Sequence, residues 1–155
     1  MITVITGPPC SGKSTYVQQH ARPGDLVIDF DLICQALGGA GHEQAGWMRE
    51  VTAAAWAAAV RRAVQLHHGH HAWIIDSRPK PERMQGYQQA SATIVPLTAG
   101  RDELHRRATA AGRPAGDHER IDDYLAQSPV RRPAAVPHRQ TITTRDPRPK
   151  PGTRW

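Results

Sequence analysis

Apolar and polar positions follow two alternating patterns along this chain. Residues 2–6 (ITVIT) form a short β-branched run closed by Gly7, which predicts a buried strand. Residues 26–30 (LVIDF), 72–75 (AWII) and 92–97 (ATIVPL) have the same character, with Pro96 marking a strand end or a sheet edge. Helical stretches separate them, at 14–20, 43–68, 81–90, 101–111 and 119–127. In the longest, Met48, Val51, Ala55, Ala59, Ala63 and Leu66 recur at steps of three and four and predict a core-facing stripe, with Gly69 at its stop. Four glycines within 38–46 predict a loop, as does the Gly/Pro stretch 112–118. A fifth strand is expected at 140–145 (QTITTR). Strands that alternate with helices predict an α/β fold with a parallel sheet of four or five strands and right-handed crossovers.

The 155 residues suit one domain with an ordinary core. No apolar run reaches the roughly 18 residues of a membrane span, and the N-terminus lacks a signal-peptide pattern. Cys10 and Cys34 are too few for a disulfide framework or a four-thiolate zinc site, so a cytoplasmic protein with free thiols is expected. Charge divides the chain. Residues 1–128 carry 13 basic and 13 acidic side chains, whereas 129–155 carry seven basic residues, six prolines and Asp146 alone. This sets a domain at 1–128 apart from a basic, Pro-rich C-terminal segment. That segment suits either a nucleic-acid backbone contact or a solvated tail.

Residues 7–14 read GPPCSGKS and satisfy G-x-x-x-x-G-K-[ST], between an expected strand and an expected helix. Gly7 and Gly12 permit backbone angles and close approaches that a side chain would block. Successive backbone N–H groups of the loop and the helix start then face an anion, with Pro8, Pro9, Cys10 and Ser11 completing the loop. Lys13 brings a mobile positive charge to the β- and γ-phosphates of a nucleoside triphosphate such as ATP. Ser14 offers a hydroxyl to Mg²⁺, and Thr15 a further phosphate contact. Cys10 is expected as a small filler.

Two acidic residues follow strands. Asp31 stands just past the second strand, at the sheet edge where ligands bind in parallel α/β folds. It suits a general base that takes the proton of an attacking hydroxyl, or a helix N-cap. Neighbouring Asp29 suits a partner role or Mg²⁺. Asp76 ends the third strand and suits a Mg²⁺ or Mg²⁺-water ligand, or a plain turn residue. Arg78, Lys80 and Arg83 follow and suit either an anionic acceptor or solvent. Arg101, Arg106, Arg107, Arg113 and Arg120 surround the 112–118 loop and suggest a short lid over the transferring phosphoryl group. Arg107 is its helix-borne candidate and Arg113, between Gly112 and Pro114, its mobile one. The histidines of HHGHH (67–71) straddle a helix stop without metal-ligand spacing and are expected to be structural or solvated. Trp47, Trp56 and Trp73 are expected in or beside the core.

GPPCSGKST, IDFDLICQA, IIDS with PER after it (Pro81, Glu82, Arg83) and DELHRRATAAGR occur in an order that resembles the small P-loop kinases, above all the kinase domain of phage-type polynucleotide 5′-hydroxyl kinases. The resemblance covers about residues 1–127. It implies a P-loop kinase-like three-layer fold with a short lid, and an ATP- and Mg²⁺-dependent transfer to a hydroxyl. In it Asp31 matches the general base, Lys13 and Ser14 the ATP–Mg²⁺ contacts, and Arg107 or Arg113 the lid arginine. The first acceptor implied is a nucleic acid 5′-hydroxyl end. The chain departs from those kinases at Cys34, where they carry an arginine that contacts the acceptor. A nucleoside or other small-molecule acceptor, or an NTPase or NTP-binding module without acceptor, are the other readings. Large mechanoenzyme ATPases fit poorly, because no strand ends in Asp-Glu and an extra helical domain has no room.

Overall fold

The computed structural model describes residues 1–39, 45–66, 69 and 71–127. The basic segment 129–155, the expected strand at 140–145 and three histidines of HHGHH lie outside the described residues. Four strands, β1 (Ile2–Thr6), β2 (Leu26–Ile28), β3 (Ala72–Ile75) and β4 (Thr93–Pro96), form one sheet in the order β2-β3-β1-β4. All three pairings are parallel. Ile5 lies opposite both Ile75 and Val95, so β1 is central and Pro96 falls on an edge strand, where its missing N–H removes no ladder bond.

Alternation along the strands divides the core. Ile2, Val4, Ile28, Ala72 and Ile74 point to one face, against Trp56, Val60 and Ala63 of α3 (Gly46–Ala63) and Tyr87 of α4 (Pro81–Gln89). Phe30 and Ile33 of α2 (Phe30–Ala36) join that face. Ile5 and Trp73 point to the other, against Val17 of α1 (Lys13–His20). The result is the expected three-layer α/β fold, with both sheet faces covered. A third cluster, Leu104, Ala108 and Ile121, joins α5 (Arg101–Ala110) to α6 (Ala115–Gln127) and packs on Cys10.

Several boundaries differ from expectation. The second strand stops at Ile28 instead of Phe30, because the Asp29 side chain accepts the N–H of Asp31 and starts α2 there. Asp29, not Asp31, is therefore the N-cap. The buried face of α3 runs through Met48, Thr52, Trp56, Val60 and Ala63, while Val51 and Leu66 are exposed. Thr52 donates its hydroxyl to the Met48 carbonyl at 2.8 Å, which lets a polar side chain lie fully inside. Trp47 is exposed, contrary to expectation, because it sits off that face. The helix ends at Ala63, short of His68: Gln65 and Leu66 bond three residues back, to Arg62 and Ala63, which tightens the last turn. His71, from HHGHH, is structural. It bonds Thr3 Oγ1 at 2.9 Å and stacks on Trp73.

Candidate active site

In an open parallel sheet, a crevice forms where neighbouring strands send their connections to opposite sides. β1 connects to β2 on one flank and β3 to β4 on the other, so the crevice opens between the loops after β1 and β3. A cavity of about 990 Å³ lies there. Pro9 to Tyr16, Asp29, Asp31, Asp76 and Ser77 all line it.

The loop after β1 is held from three directions. Gly7 has φ 137°, and a Cβ there would fall inside contact distance of the Leu97 carbonyl oxygen. Its N–H donates to Ser77 O at 3.0 Å, which fixes the loop to the end of β3. Gly12, at φ 92°, turns the chain into α1, and Cys10 also holds a left-handed φ of 60°. Gly7 and Pro8 do not face the cavity. Pro8 is fully buried, and the two shape the loop from beneath while their carbonyls face Lys13.

Lys13 Nζ donates to Gly7 O at 3.0 Å and to Pro8 O at 2.6 Å. Burial pushes its pKa down to about 8, with Cys10, Asp29 and Asp31 opposing the fall. The ammonium is still mostly protonated at pH 7, and a nearby anion would hold its charge to higher pH. Burial also pushes the Cys10 thiol up, against Arg113 and Lys13, so it stays protonated and packs as a filler. Ser14 Oγ donates to Asp29 Oδ2 at 3.0 Å, and Asp29 Oδ1 accepts from Asp31 N at 2.9 Å. One carboxylate thus ties the loop serine to the first turn of α2. Ser14 and Thr15 are exposed, with their side chains at the cavity wall. Ser11 Oγ is buried and has no hydrogen-bond partner among the described residues.

Asp76 ends β3 in the same cavity, but its Oδ2 accepts from Arg83 Nε at 2.8 Å and Tyr87 Oη at 3.0 Å. That hydrogen bond holds Arg83 above its usual pKa, and burial followed by the Asp76 charge pushes the Tyr87 phenol up. The carboxylate is therefore largely committed to α4. Arg83 stands over the Trp56 ring, 5.3 Å from its centroid. Arg78 faces elsewhere: it donates to the Tyr124 carbonyl at 2.8 Å and to Gln127 Oε1, and covers the Tyr124 ring.

Of the five arginines around the expected lid, Arg107, Arg113 and Arg120 line the cavity. Arg101 turns away to a bidentate pair with Asp122, whose carboxyl is held well below its usual range by that hydrogen bond and by His105. Arg106 pairs with Glu103. Arg107 is held by Glu103 at 2.6 Å and reaches Cys10 O at 3.4 Å. The segment expected as a lid is a helical hairpin of α5 and α6. Gly112 N bonds Thr109 O and Arg113 N bonds Ala108 O, both at 3.0 Å, with Gly112 at φ 59°. This closing pattern fixes the Arg113 backbone, which the flanking Gly and Pro had suggested to be mobile. The expected 112–118 loop ends early, since Asp117 N bonds Pro114 O and α6 begins at Ala115. Asp117 is buried and pairs with Arg120 at 2.6 Å and Arg113 at 3.6 Å.

Arg49, Trp56, Asp117 and Tyr16 also line the cavity and were not anticipated. Asp117 lay in an expected loop, and Trp56 read as core. Arg49 lies next to Glu50 beside the apolar stripe of α3, without a motif to mark it.

A family model described as AAA domain matches residues 2–128, which span every strand and helix above. No curated protein matches the chain at a significant level. Among the described residues no helix is long and apolar enough to cross a membrane.

Proposed function

The chain belongs to the AAA-domain family, and from that premise we propose that it is an ATP-dependent phosphotransferase with a hydroxyl acceptor, first a nucleic acid 5′-hydroxyl end. One observation carries this reading. Four carboxylates line the cavity, and three are engaged: Asp29 by Ser14 and Asp31 N, Asp76 by Arg83 and Tyr87, Asp117 by Arg113 and Arg120. Asp31 has no hydrogen bond or ion pair on its carboxylate among the described residues. It is exposed at the cavity wall, close enough to Lys13 to affect its charge. A base needs a carboxylate open to the proton it takes, and of these four Asp31 alone accepts no hydrogen bond and forms no ion pair through its side chain among the described residues.

The alcohol oxygen forms its bond to the γ-phosphorus while its proton passes to Asp31. The bond from the γ-phosphorus to the β-bridging oxygen breaks, and the nucleoside diphosphate keeps that electron pair. Lys13 exchanges its loop carbonyls for phosphate oxygens. Arg107 and Arg113, set by the hairpin on the far side of the loop, spread the charge that develops on the leaving oxygens. The adjacent hydroxyl and carboxylate of Ser14 and Asp29 are hard-oxygen donors that fit Mg²⁺, and Asp76, already paired, suits at most a water-mediated place. Bound Mg²⁺ would neutralise phosphate charge there.

Labelled γ-phosphate transfer to 5′-hydroxyl DNA and RNA, nucleosides and sugars tests this. Asp31→Asn should lower transfer by ~10²–10⁴ while ATP affinity stays within about twofold. Full transfer by that variant refutes the assignment of the base. ATP hydrolysis without transfer to any acceptor favours the NTPase reading.

A further inference from the structure

The three hairpin arginines at the cavity are held in two different ways. Arg107 pairs with Glu103, which also takes Arg106 and stays partly open to solvent. Arg113 and Arg120 share Asp117, one on each carboxylate oxygen. Arg120 Nη1 donates to Oδ1 at 2.6 Å, and Arg113 Nη1 stands 3.6 Å from Oδ2. Asp117 is only 5% exposed, while the Arg113 and Arg120 side chains keep 29% and 49% of their surface. An acid in the first turn of a helix is favoured by the helix dipole and needs no burial for that. Here the carboxylate lies inside the cavity wall, where a charge is tolerated only with partners.

By charge alone that carboxylate is misplaced. It lines the same cavity as Lys13, and both its charge and that of Arg113 reach the Cys10 thiol in the loop after β1. A negative charge there repels a triphosphate. The spacing accounts for it. Asp117 stands four residues after Arg113 and three before Arg120, so the three side chains share one face at the start of α6. The Asp117 backbone is fixed by its N–H bond to Pro114 O at 2.9 Å, and the Arg113 backbone by its bond to Ala108 O. Without the carboxylate, two neighbouring guanidiniums repel each other and gain freedom by turning into water. With it, they carry a net single positive charge in one place.

We propose that Asp117 is a positioning residue: it holds Arg113 and Arg120 as a two-guanidinium clamp at the cavity wall, and Arg120 joins Arg107 and Arg113 in meeting the triphosphate. The clamp rests on the reading of this cavity as a nucleoside triphosphate site and is independent of the acceptor. Its signature is a sign. Removing a negative charge from the wall of an anion site should weaken anion binding, whereas charge alone predicts the reverse. A guanidinium already held in place gives up less side-chain freedom when the ligand arrives, and its planar fork meets phosphate oxygens in a fixed orientation.

The test titrates the full chain calorimetrically with a non-hydrolysable ATP analogue and Mg²⁺. Asp117→Asn should bind the analogue about fivefold or more weakly than wild type, with circular dichroism reporting an intact fold. Combined with Arg113→Gln and Arg120→Gln, the same change should leave affinity within about twofold or raise it, because the groups it positions are gone. An aspartate with a merely structural role would lower affinity equally in both backgrounds. Arg120→Gln alone leaves Asp117 its pair with Arg113. It should weaken binding about threefold or more, and it decides the question if Asp117→Asn does not fold. Asp117→Asn affinity at or above wild type, an equal loss in both backgrounds, or wild-type affinity in Arg120→Gln each overturns the clamp. A wild-type chain that binds no analogue overturns the triphosphate reading beneath it. The expected losses without phosphoryl transfer to any acceptor overturn the transfer reading and leave the clamp standing. Transfer that is lost in Asp31→Asn, beside unchanged analogue affinity in Asp117→Asn, does the reverse.

Discussion

Lys13 is a strongly perturbed side chain of the candidate site, and Lys13→Met isolates the consequence. Its pKa falls from 10.5 to about 8 in the folded chain, chiefly because burial disfavours the ammonium. In the unfolded chain it keeps the ordinary value. The folded state therefore binds fewer protons than the unfolded state between about pH 8 and 10.5, and stability rises with pH across that window. Below pH 8 the full penalty is present. From pH 7 to pH 9 the folded lysine loses most of its proton while the unfolded one keeps it, which contributes ~1.4 kcal/mol of added stability.

Lys13→Met abolishes this contribution. It also removes the two bonds to Gly7 O and Pro8 O, so the difference between the proteins at any one pH mixes opposing effects. The pH slope does not. Thermal melts of both proteins without nucleotide, at pH 7, 8 and 9, should show wild type gaining ~3–6 °C on the variant by pH 9. With ATP present at pH 7, wild type should be stabilised and the variant not. Parallel pH profiles for the two proteins would refute the claim that burial lowers the Lys13 pKa.

Three further outcomes follow from other parts of the structure. Gly7→Ala places a methyl against the Leu97 carbonyl at a φ unsuited to alanine, so the variant should lose ~1–3 kcal/mol in denaturant melts together with its ATP affinity; a stable, ATP-binding Gly7→Ala protein contradicts the loop geometry. Arg78→Ala should lower amide-exchange protection in α6 by about 5- to 10-fold while β1 amides stay protected, since Arg78 bonds the end of that helix from the β3 side. Uniform loss throughout the sheet would count against a local anchor. Removal of 129–155, with its seven basic residues, should weaken nucleic-acid binding and reduce the slope of log K against log salt by up to ~5. An unchanged slope excludes that segment from the contact.

The strands were legible because burial on both faces leaves continuous apolar runs, and ITVIT followed by a glycine-rich phosphate loop has few other solutions. Three features were not. The onset of α2 is hidden in an apparently alternating strand, because Asp29 acts through its side chain as a cap and breaks the strand two residues early. The buried face of α3 is displaced by Thr52, whose hydroxyl bonds within the helix and so counts as apolar only in three dimensions. The pairing of Asp76 with Arg83 and Tyr87 joins residues that read separately as a metal ligand, an anion contact and an ordinary aromatic. Such pairings depend on the crossing of β3 and α4. No spacing rule encodes them.

Three consecutive residues after β3 tie the parts of this site together. Asp76 accepts from Arg83 and Tyr87 of α4, Ser77 O accepts from Gly7 N at the root of the phosphate loop, and Arg78 donates to the last turn of α6. The backbone between them is too short to absorb independent shifts. The root of the loop after β1, the α4 wall beside Trp56 and the α6 end of the helical hairpin are therefore all tied to one short stretch of backbone. The Arg113 backbone is fixed by the helix end of α5, and the Arg78 contacts with Tyr124 and Gln127 join that hairpin to the end of β3.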